Sequence, residues 1–221
     1  MRIGIDLMGS DSSPQVLFEG VLLAAKQLDL SHSLIVFATS SIISSLSHFD
    51  LPKHSSRIEF HSVMDEITMD DHPLHVVRQK KDSSLVQGIT HLKKGLLDAF
   101  VSAGNTGALI TCSTVLLSKL PGIHRPALLA ILPSERGFVV MIDVGGNVSC
   151  KAQHLIQFAQ MGAAYQRARG IVDPKIGLLN IGSEALKGTS ELRLAYQKMQ
   201  TLSEQFPESF HFKGNIEAKE I

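Results

Sequence analysis

The sequence predicts an α/β fold built on a mostly parallel sheet with helices on its faces. The first 60 residues alternate strand, helix, strand, helix and strand in their apolar patterns, the order expected of a parallel sheet with covering helices. Later apolar runs are followed by glycine-rich corners and further helical patterns. With 221 residues, 44% of them hydrophobic, the chain is large enough for one well-buried domain, which we expect to span residues 1–221.

The first elements have clear sequence signals. Pro14 follows a polar loop and stands where a helix begins, and Leu17 and Val21 then recur at helical spacing. The predicted strands of this part are residues 2–6, 34–38 and 57–60, and a short helix is predicted at residues 42–46.

The rest of the chain continues the alternation. Residues 127–132 and 138–144 are two apolar runs joined by a short turn, which predicts a hairpin in the sheet. The other predicted strands are residues 98–102, residues 175–180 and a run that begins at Phe210; the predicted helices are residues 73–81 and 83–95, two around Leu109 and Phe158, and one that is capped at Thr189 or Ser190 and ends near Gln205.

A polar segment before the helix at residues 73–81 allows two interpretations. Asp70, Asp71, His72 and His75 form a local group of possible metal ligands. Pro73 favours a loop or helix start, and no further ligands stand at metal spacing, so a solvated turn is preferred and no metal is expected.

The stretch from Val101 to Ala108 organises the chain. In this stretch, the predicted strand ends and the next predicted helix begins at Gly104, Asn105, Thr106 and Gly107. Backbone N–H groups and the helix dipole at such a corner attract phosphate or a developing oxyanion. An ordinary N-cap, formed by Asn105 or Thr106, explains the same spacing equally well. The dinucleotide fingerprint G-x-G-x-x-G is absent from the sequence.

Further polar corners follow other predicted strands. Because the carboxyl ends of parallel strands meet at one edge of a sheet, we expect the side chains of these corners to converge there. The candidates are Asn105, Thr106, Asp143, Asn147, Glu184, Lys187, Asn215 and Glu217.

Composition excludes several classes of protein. Lysine plus arginine equals aspartate plus glutamate, at 21 each, so the basic excess of a nucleic-acid binder is missing. There is no apolar run near the length of a membrane span and no signal-peptide core after Met1. The two cysteines are far apart and predict no disulfide framework. A cytoplasmic location is therefore expected.

Several motifs match one known family in their order and spacing: residues 5–11, 78–84, 102–108, 122–127, 143–147, 157–162, 177–182, 187–188 and 214–217. Together they resemble the bacterial phosphate acyltransferases of phospholipid synthesis, and the resemblance covers essentially all 221 residues. The first loop has Ser10 and Ser12 where the family usually has glycine and histidine, and Gly146 replaces an alanine. Family members also continue further at the C-terminus, so the chain is expected to be a shortened form.

The resemblance implies a fold, an activity and partners. The fold is a three-layer α/β/α sandwich similar to isocitrate dehydrogenase and phosphotransacetylase. The reaction transfers a fatty acyl group from acyl carrier protein to inorganic phosphate, without a cofactor, in a homodimer with peripheral contact to the cytoplasmic membrane. The residues expected to act in catalysis are Lys81, Asn105 and Lys187; those expected to bind phosphate or substrate are Asp6, Asp11, Arg78, Ser102, Gly104, Thr106, Gly107, Arg125, Asp143, Asn147, Glu184, Asn215 and Glu217.

The reaction implied by the resemblance does not require the protein to activate either the nucleophile or the leaving group. Phosphate is already a charged nucleophile, and the thiol leaves as a thiolate, so binding, orientation and oxyanion stabilisation suffice. Direct transfer is preferred over an acyl-enzyme on Cys150, which is interpreted as a small filler. Three alternatives stay open: a phosphotransacetylase that uses coenzyme A, a dehydrogenase of the isocitrate type, and a non-catalytic fragment.

Overall fold

The structure is a computed structural model, and it describes residues 1–46, 49, 57–135 and 137–221. The chain divides into two compact units, Met1–Ser118 and Lys119–Ile221. Each unit is described by itself below. Whether residues 1–221 act as one domain stays a prediction.

The first unit contains a four-stranded sheet in the order β3-β2-β1-β4, and all three strand pairs are parallel. Asp6, the last residue of β1, lies opposite Phe37 of β2 and Ser102 of β4. The strands are β1 (Arg2–Asp6), β2 (Ser33–Thr39), β3 (Ile58–Val63) and β4 (Ala99–Ser102), and the helices are α1 (Pro14–Gln27), α2 (Ser40–Ser45), α3 (Pro73–Gln79), α4 (Ser84–Lys93) and α5 (Thr106–Leu116).

The β2 strand explains why this sheet is covered on both faces. Leu34 and Val36 pack into a cluster with Phe18 of α1, whereas the alternate residue Phe37 packs on the opposite face with Leu97. Because successive side chains of a strand point to opposite faces, a continuous apolar run fits only a strand that is buried on both sides. The first unit therefore has three layers, helix, sheet and helix.

The second unit contains two small sheets. The hairpin of β5 (Leu129–Ser134) and β6 (Gly137–Ile142) is antiparallel, as predicted, but the two strands form a sheet of their own. The strands β7 (Lys175–Leu179) and β8 (His211–Ile216) pair in parallel. The helices α6 (Ala152–Ala168) and α7 (Ser190–Gln205) contribute to one core cluster with β7 and β8, and a single 3-10 turn covers Ala218–Glu220.

The structure confirms the predicted α/β class and its mainly parallel sheet. Element ends differ by a few residues. The third strand continues to Val63 rather than ending at Phe60, because its pairing with β2 extends to Thr39. The third helix ends at Gln79 rather than at Lys81, and Lys80 leaves the helical conformation at its C-cap.

His61 of the first unit is expected to make the stability of this unit depend on pH. His61 of β3 and His91 of α4 have ring centroids 4.7 Å apart, and both rings contact Phe37. Burial, and then the charge of His91, lower the pKa of His61 below its ordinary value. As the pH falls, His61 is therefore protonated in the unfolded chain before it is protonated in the folded chain. Its contribution to the free energy of unfolding is present above about pH 6.5 and declines as the pH falls below that value.

We expect His61→Gln to reduce this loss of stability in acid. Urea unfolding at pH 7.5 and at pH 5.5 measures the free-energy difference in each protein. The difference should be smaller in the variant, since one group that binds a proton preferentially in the unfolded state is gone. An equal difference in both proteins would contradict the assignment.

Candidate functional site

The order of strands in the first unit locates a crevice. The chain passes from β1 to β2 and β3 on one side, whereas β4 lies on the other side of β1. Ligands of open α/β sheets bind outside the carboxyl ends of strands at such a reversal of order. The loop after β1 and the corner at residues 103–105 leave the sheet at this point.

Asp6 is the last residue of β1 and is almost fully buried, with 4% of its surface exposed. Its Oδ1 accepts a hydrogen bond from the Met8 amide at 2.9 Å, and its Oδ2 accepts one from the Ser102 hydroxyl, also at 2.9 Å. Burial raises the pKa of Asp6, while hydrogen bonds from Ser84, Met8 and Ser102 act in the opposite direction. The carboxylate therefore holds β1, β4 and the start of α4 together.

Two glycines let the loops of the crevice approach closely. A Cβ at Gly104 would lie 3.2 Å from the Met8 carbonyl oxygen, and the Gly104 amide donates to Ser102 Oγ at 3.2 Å. Gly9 has a φ of 67°, and a Cβ there would lie 1.8 Å from the Ile67 carbonyl oxygen. The first loop is thus held between the strand–helix corner and the segment around Ile67.

Asn105 is buried and uses both ends of its amide. Its Oδ1 accepts from the Ala108 amide at 3.0 Å, which makes it the N-cap of α5. Its Nδ2 lies 3.1 to 3.3 Å from the carbonyl oxygens of Thr68, Met69 and Asp71. The N-cap interpretation therefore holds, and the same side chain fastens residues 68–71 to the corner.

The first amides of α5 remain available to a ligand. Within the part of the chain that the structure describes, the N–H groups of Thr106 and Gly107 have no acceptor. Thr106 is exposed and Gly107 half-buried. At the start of an 11-residue helix these groups carry partial positive charge, so they suit an anionic ligand.

The polar segment before α3 forms a helix-start turn, in agreement with the preferred interpretation. His72 caps α3 by accepting from the Leu74 amide. Asp71 accepts from Thr68 and pairs with Lys80 at 2.6 Å, and these contacts lower the pKa of Asp71. Across the described residues, no group of three or more His, Cys, Asp or Glu side chains is arranged to hold a metal ion.

Three predicted site residues of the first unit, one catalytic and two binding, lie apart from this network. Arg78 and Lys81 are exposed at and after the end of α3. Asp11 is exposed and lines a cleft of about 300 Å³ between the first loop and the segment that contains Glu66 and Met69. Since this cleft contains two carboxylates, it is unfavourable for a phosphate ion.

A second corner follows β6 in the other unit. Asp143 has a φ of 68°, which is uncommon for a residue other than glycine, and its Oδ1 accepts from Asn147 Nδ2 at 3.0 Å. Arg125 donates to Asn147 Oδ1 and to the Ser149 carbonyl oxygen. The structure thus brings three predicted residues, Arg125, Asp143 and Asn147, into one hydrogen-bonded group.

Cys150 belongs to this group. Its Sγ donates to Asp143 Oδ2 at 3.4 Å. Burial and the neighbouring carboxylate raise the pKa of the thiol from 9.0 to about 11. A thiol in this state is a poor nucleophile near neutral pH, which agrees with its interpretation as a filler.

We expect Cys150 to react with iodoacetamide about 100-fold more slowly in the folded chain than in urea, because the thiolate fraction falls tenfold for each pKa unit. Mass spectrometry of the peptides separates Cys150 from Cys112, whose pKa burial also raises to about 11. Equal rates in the folded and unfolded chains would contradict the assigned environment.

A third corner follows β7. Asn180 Nδ2 donates to the Lys187 carbonyl oxygen at 3.1 Å, and Asn215 Nδ2 donates to the Glu184 carbonyl oxygen at 2.8 Å. Two amides therefore hold the loop at residues 181–188 against the ends of β7 and β8. The Lys187 ammonium lies 3.8 Å from Glu184 Oε1 and is half-exposed. Glu217 pairs with Lys219 at 3.0 Å.

The predicted site residues thus separate into groups. Asp6, Ser102, Gly104, Asn105, Thr106 and Gly107 meet at the crevice of the first unit. The predicted set of site residues does not include Ser84, Thr68, Asp71 and Lys80, which lie beside that crevice, or Asn180 at the third corner. Asn180 had a usable signal, because it is the last residue of a predicted strand and stands before a glycine corner.

The solved structures that resemble this chain identify its fold. The chain is similar to the EutD phosphotransacetylase from Staphylococcus aureus, with a TM-score of 0.64 and 18% identity over 97% of this chain and 68% of that one. It is also similar to a phosphotransacetylase from Streptococcus pyogenes, with a TM-score of 0.65 and 18% identity over 98% and 68% of the two chains. The fold is therefore that of the phosphotransacetylases.

The chain belongs to the fatty acid synthesis protein family, whose model matches residues 1–221. It is 38% identical to a phosphate acyltransferase of Caldicellulosiruptor saccharolyticus over 100% of this chain and 64% of that protein. It is 41% identical to a phosphate acyltransferase of Staphylococcus saprophyticus over 99% and 63% of the two chains. The resemblance inferred from the motifs is confirmed, and the chain spans less than two thirds of these relatives.

No helix in the described ranges is both long and apolar enough to cross a bilayer.

Proposed function

We propose that this protein is a phosphate acyltransferase that transfers a fatty acyl group from acyl carrier protein to inorganic phosphate and yields an acyl phosphate for glycerophospholipid synthesis. The similarity to relatives named phosphate acyltransferases over the whole length of this chain is the observation that carries the proposal. A homodimer in the cytoplasm with peripheral membrane contact is part of the same proposal.

The crevice of the first unit supports the binding of phosphate. The free amides of Thr106 and Gly107 and the dipole of α5 supply partial positive charge without a titratable group. In this proposal they hold a phosphate oxygen or the oxyanion of the tetrahedral intermediate. Phosphate attacks the thioester carbonyl carbon, the carbon–sulfur bond breaks, and the thiolate of the carrier leaves, so no acyl-enzyme forms.

A donor based on coenzyme A is the second candidate. The solved structures with this fold are named phosphotransacetylases and, in Enterococcus faecalis, a branched-chain phosphotransacylase. The two donors carry the same reactive thioester and differ in what surrounds it. An acyl-transfer assay separates the two candidates. The purified chain is incubated with phosphate and with either a long-chain acyl carrier protein or the matching coenzyme A thioester, and hydroxylamine traps the acyl phosphate. Product from the carrier protein but not from coenzyme A would support the proposal; product from coenzyme A alone would favour the second candidate, and none from either would contradict the proposal and leave this chain as a non-catalytic fragment.

We expect Lys187→Met to lower turnover in this assay by about tenfold or more, since one charge contact to a developing oxyanion is worth a few kcal/mol. Lys175→Met is the matched control, because Lys175 is an exposed lysine at the opposite end of β7. Wild-type turnover in Lys187→Met, or an equal loss in both variants, would remove Lys187 from the mechanism.

A further inference from the structure

One buried carboxylate controls both loops of the crevice. Asp6 Oδ1 accepts from the Met8 amide in the first loop, and Asp6 Oδ2 accepts from Ser102 at the end of β4. These loops leave the sheet on either side of the reversal in strand order. Asp6 itself is enclosed, with 4% of its surface exposed, so it lies behind the loops rather than in contact with a ligand.

The Ser102 hydroxyl contacts both this carboxylate and the corner. A hydroxyl has one hydrogen, and that of Ser102 is committed to Asp6 Oδ2 at 2.9 Å. Its oxygen is then left to accept the Gly104 amide at 3.2 Å. The orientation of the Gly104 peptide therefore depends on a chain of two hydrogen bonds that begins at Asp6.

The Gly104 peptide precedes the amides that are available to an anion. Gly104 lies two residues before Thr106, where α5 begins. Asn105 fixes the same turn from the other side by capping Ala108. A Cβ at Gly104 would lie 3.2 Å from the Met8 carbonyl oxygen, so the corner lies close to the first loop.

We propose that Asp6 is a positioning residue of the phosphate-binding corner and acts through the Ser102 hydroxyl on the Gly104 peptide. This inference rests on the proposed function. The hydrogen bonds from Met8 and Ser84 hold this carboxylate in the scaffold of the first unit, and the bond from Ser102 adds a connection to the corner. An acceptor at Oδ2 takes the hydrogen of the Ser102 hydroxyl, so that the Ser102 oxygen is left to accept from the Gly104 amide.

The link is tested by nuclear magnetic resonance of the amides, with inorganic phosphate as the probe. Burial raises the pKa of Asp6, so its titration is expected above the usual range of an aspartate. The Gly104 amide resonance should follow this titration in the wild type. It should stop doing so in Asp6→Asn and in Ser102→Ala, and Ser102→Thr, which keeps the hydroxyl, should restore it.

Phosphate binding gives the second readout. The dissociation constant should rise about fivefold to tenfold in Asp6→Asn and in Ser102→Ala, the size expected for one hydrogen bond. The double variant should bind no more weakly than Ser102→Ala, since both changes break one chain of contacts. Ser83→Ala is the matched control, because Ser83 is also fully buried but donates to the Lys80 carbonyl oxygen instead.

The outcomes separate this inference from the proposed function. A wild type that binds phosphate while Asp6→Asn binds it equally well would overturn the positioning role alone. A Gly104 resonance that ignores the Asp6 titration, or additive losses in the double variant, would do the same. A wild type that binds no phosphate would contradict the phosphate corner on which the inference rests. If Asp6→Asn fails to fold, the Ser102→Ala and Ser102→Thr pair decides.

Discussion

Replacing Gly9 with alanine is expected to lower the free energy of unfolding by about 3 kcal/mol, the sum of a left-handed backbone cost and an overpacking cost. The φ of Gly9 is 67°, a region that residues with a side chain rarely adopt. The new Cβ would also lie 1.8 Å from the Ile67 carbonyl oxygen. Because the obstructing atom belongs to the backbone, no side-chain rotation relieves the contact.

Gly95→Ala is the matched control for the backbone term. Gly95 has a φ of 68°, and nothing lies within 4 Å of the position of its added Cβ. Its cost should be about 1 kcal/mol, the left-handed term alone. Urea unfolding of the two variants measures the difference, which reports the contact between the first loop and Ile67. Equal losses in the free energy of unfolding would show that the first loop moves away from Ile67 at no energetic cost.

The positions of the corners were predictable from the sequence. A short apolar run followed by glycines and a helical pattern indicates where a strand ends, and Gly104 to Gly107 do lie at the carboxyl end of β4. These signals are local in the chain, since the period of the apolar residues and the glycines are read within a few residues. The order of the strands in the sheet was not predicted, because it depends on pairing between strands that are far apart in the sequence.

The direction of each side chain was not predictable in the same way. Asp6 and Asn105 were expected to act on the ligand, but both point into the scaffold of the crevice. For Asn105 the reason is a contact 37 residues away in the chain, with the carbonyl oxygen of Thr68. A sequence pattern places a residue at a strand end without showing which other segment arrives there.

The two adjacent lysines after α3 illustrate the same limit. Lys81 was expected to supply a cation to the site, yet Lys80 is the one paired with Asp71 at 2.6 Å and bonded to the Glu66 carbonyl oxygen. The helix ends at Gln79, so the directions of Lys80 and Lys81 are set by an irregular turn rather than by helical periodicity. The predicted catalytic role of Lys81 stays a prediction.

Asn105→Ala is expected to have the other large effect, a loss of about 3 kcal/mol in the free energy of unfolding. Removal of an N-cap costs about 1 kcal/mol. The rest, about 2 kcal/mol, comes from the carbonyl oxygens of Thr68, Met69 and Asp71, which lose their shared donor in a partly buried place. Hydrogen exchange should also become faster in residues 68–71, since the segment is no longer fastened to the corner.

Two controls divide this loss into its parts. Thr189→Ala removes the cap of α7, where Thr189 Oγ1 accepts from the Leu192 amide, and should cost about 1 kcal/mol. Asn105→Asp keeps an acceptor for the Ala108 amide but directs a second oxygen at the three carbonyl groups. It should retain the start of α5 and still release residues 68–71. If Asn105→Ala cost no more than Thr189→Ala and left exchange at residues 68–71 unchanged, Asn105 would be a cap and nothing more.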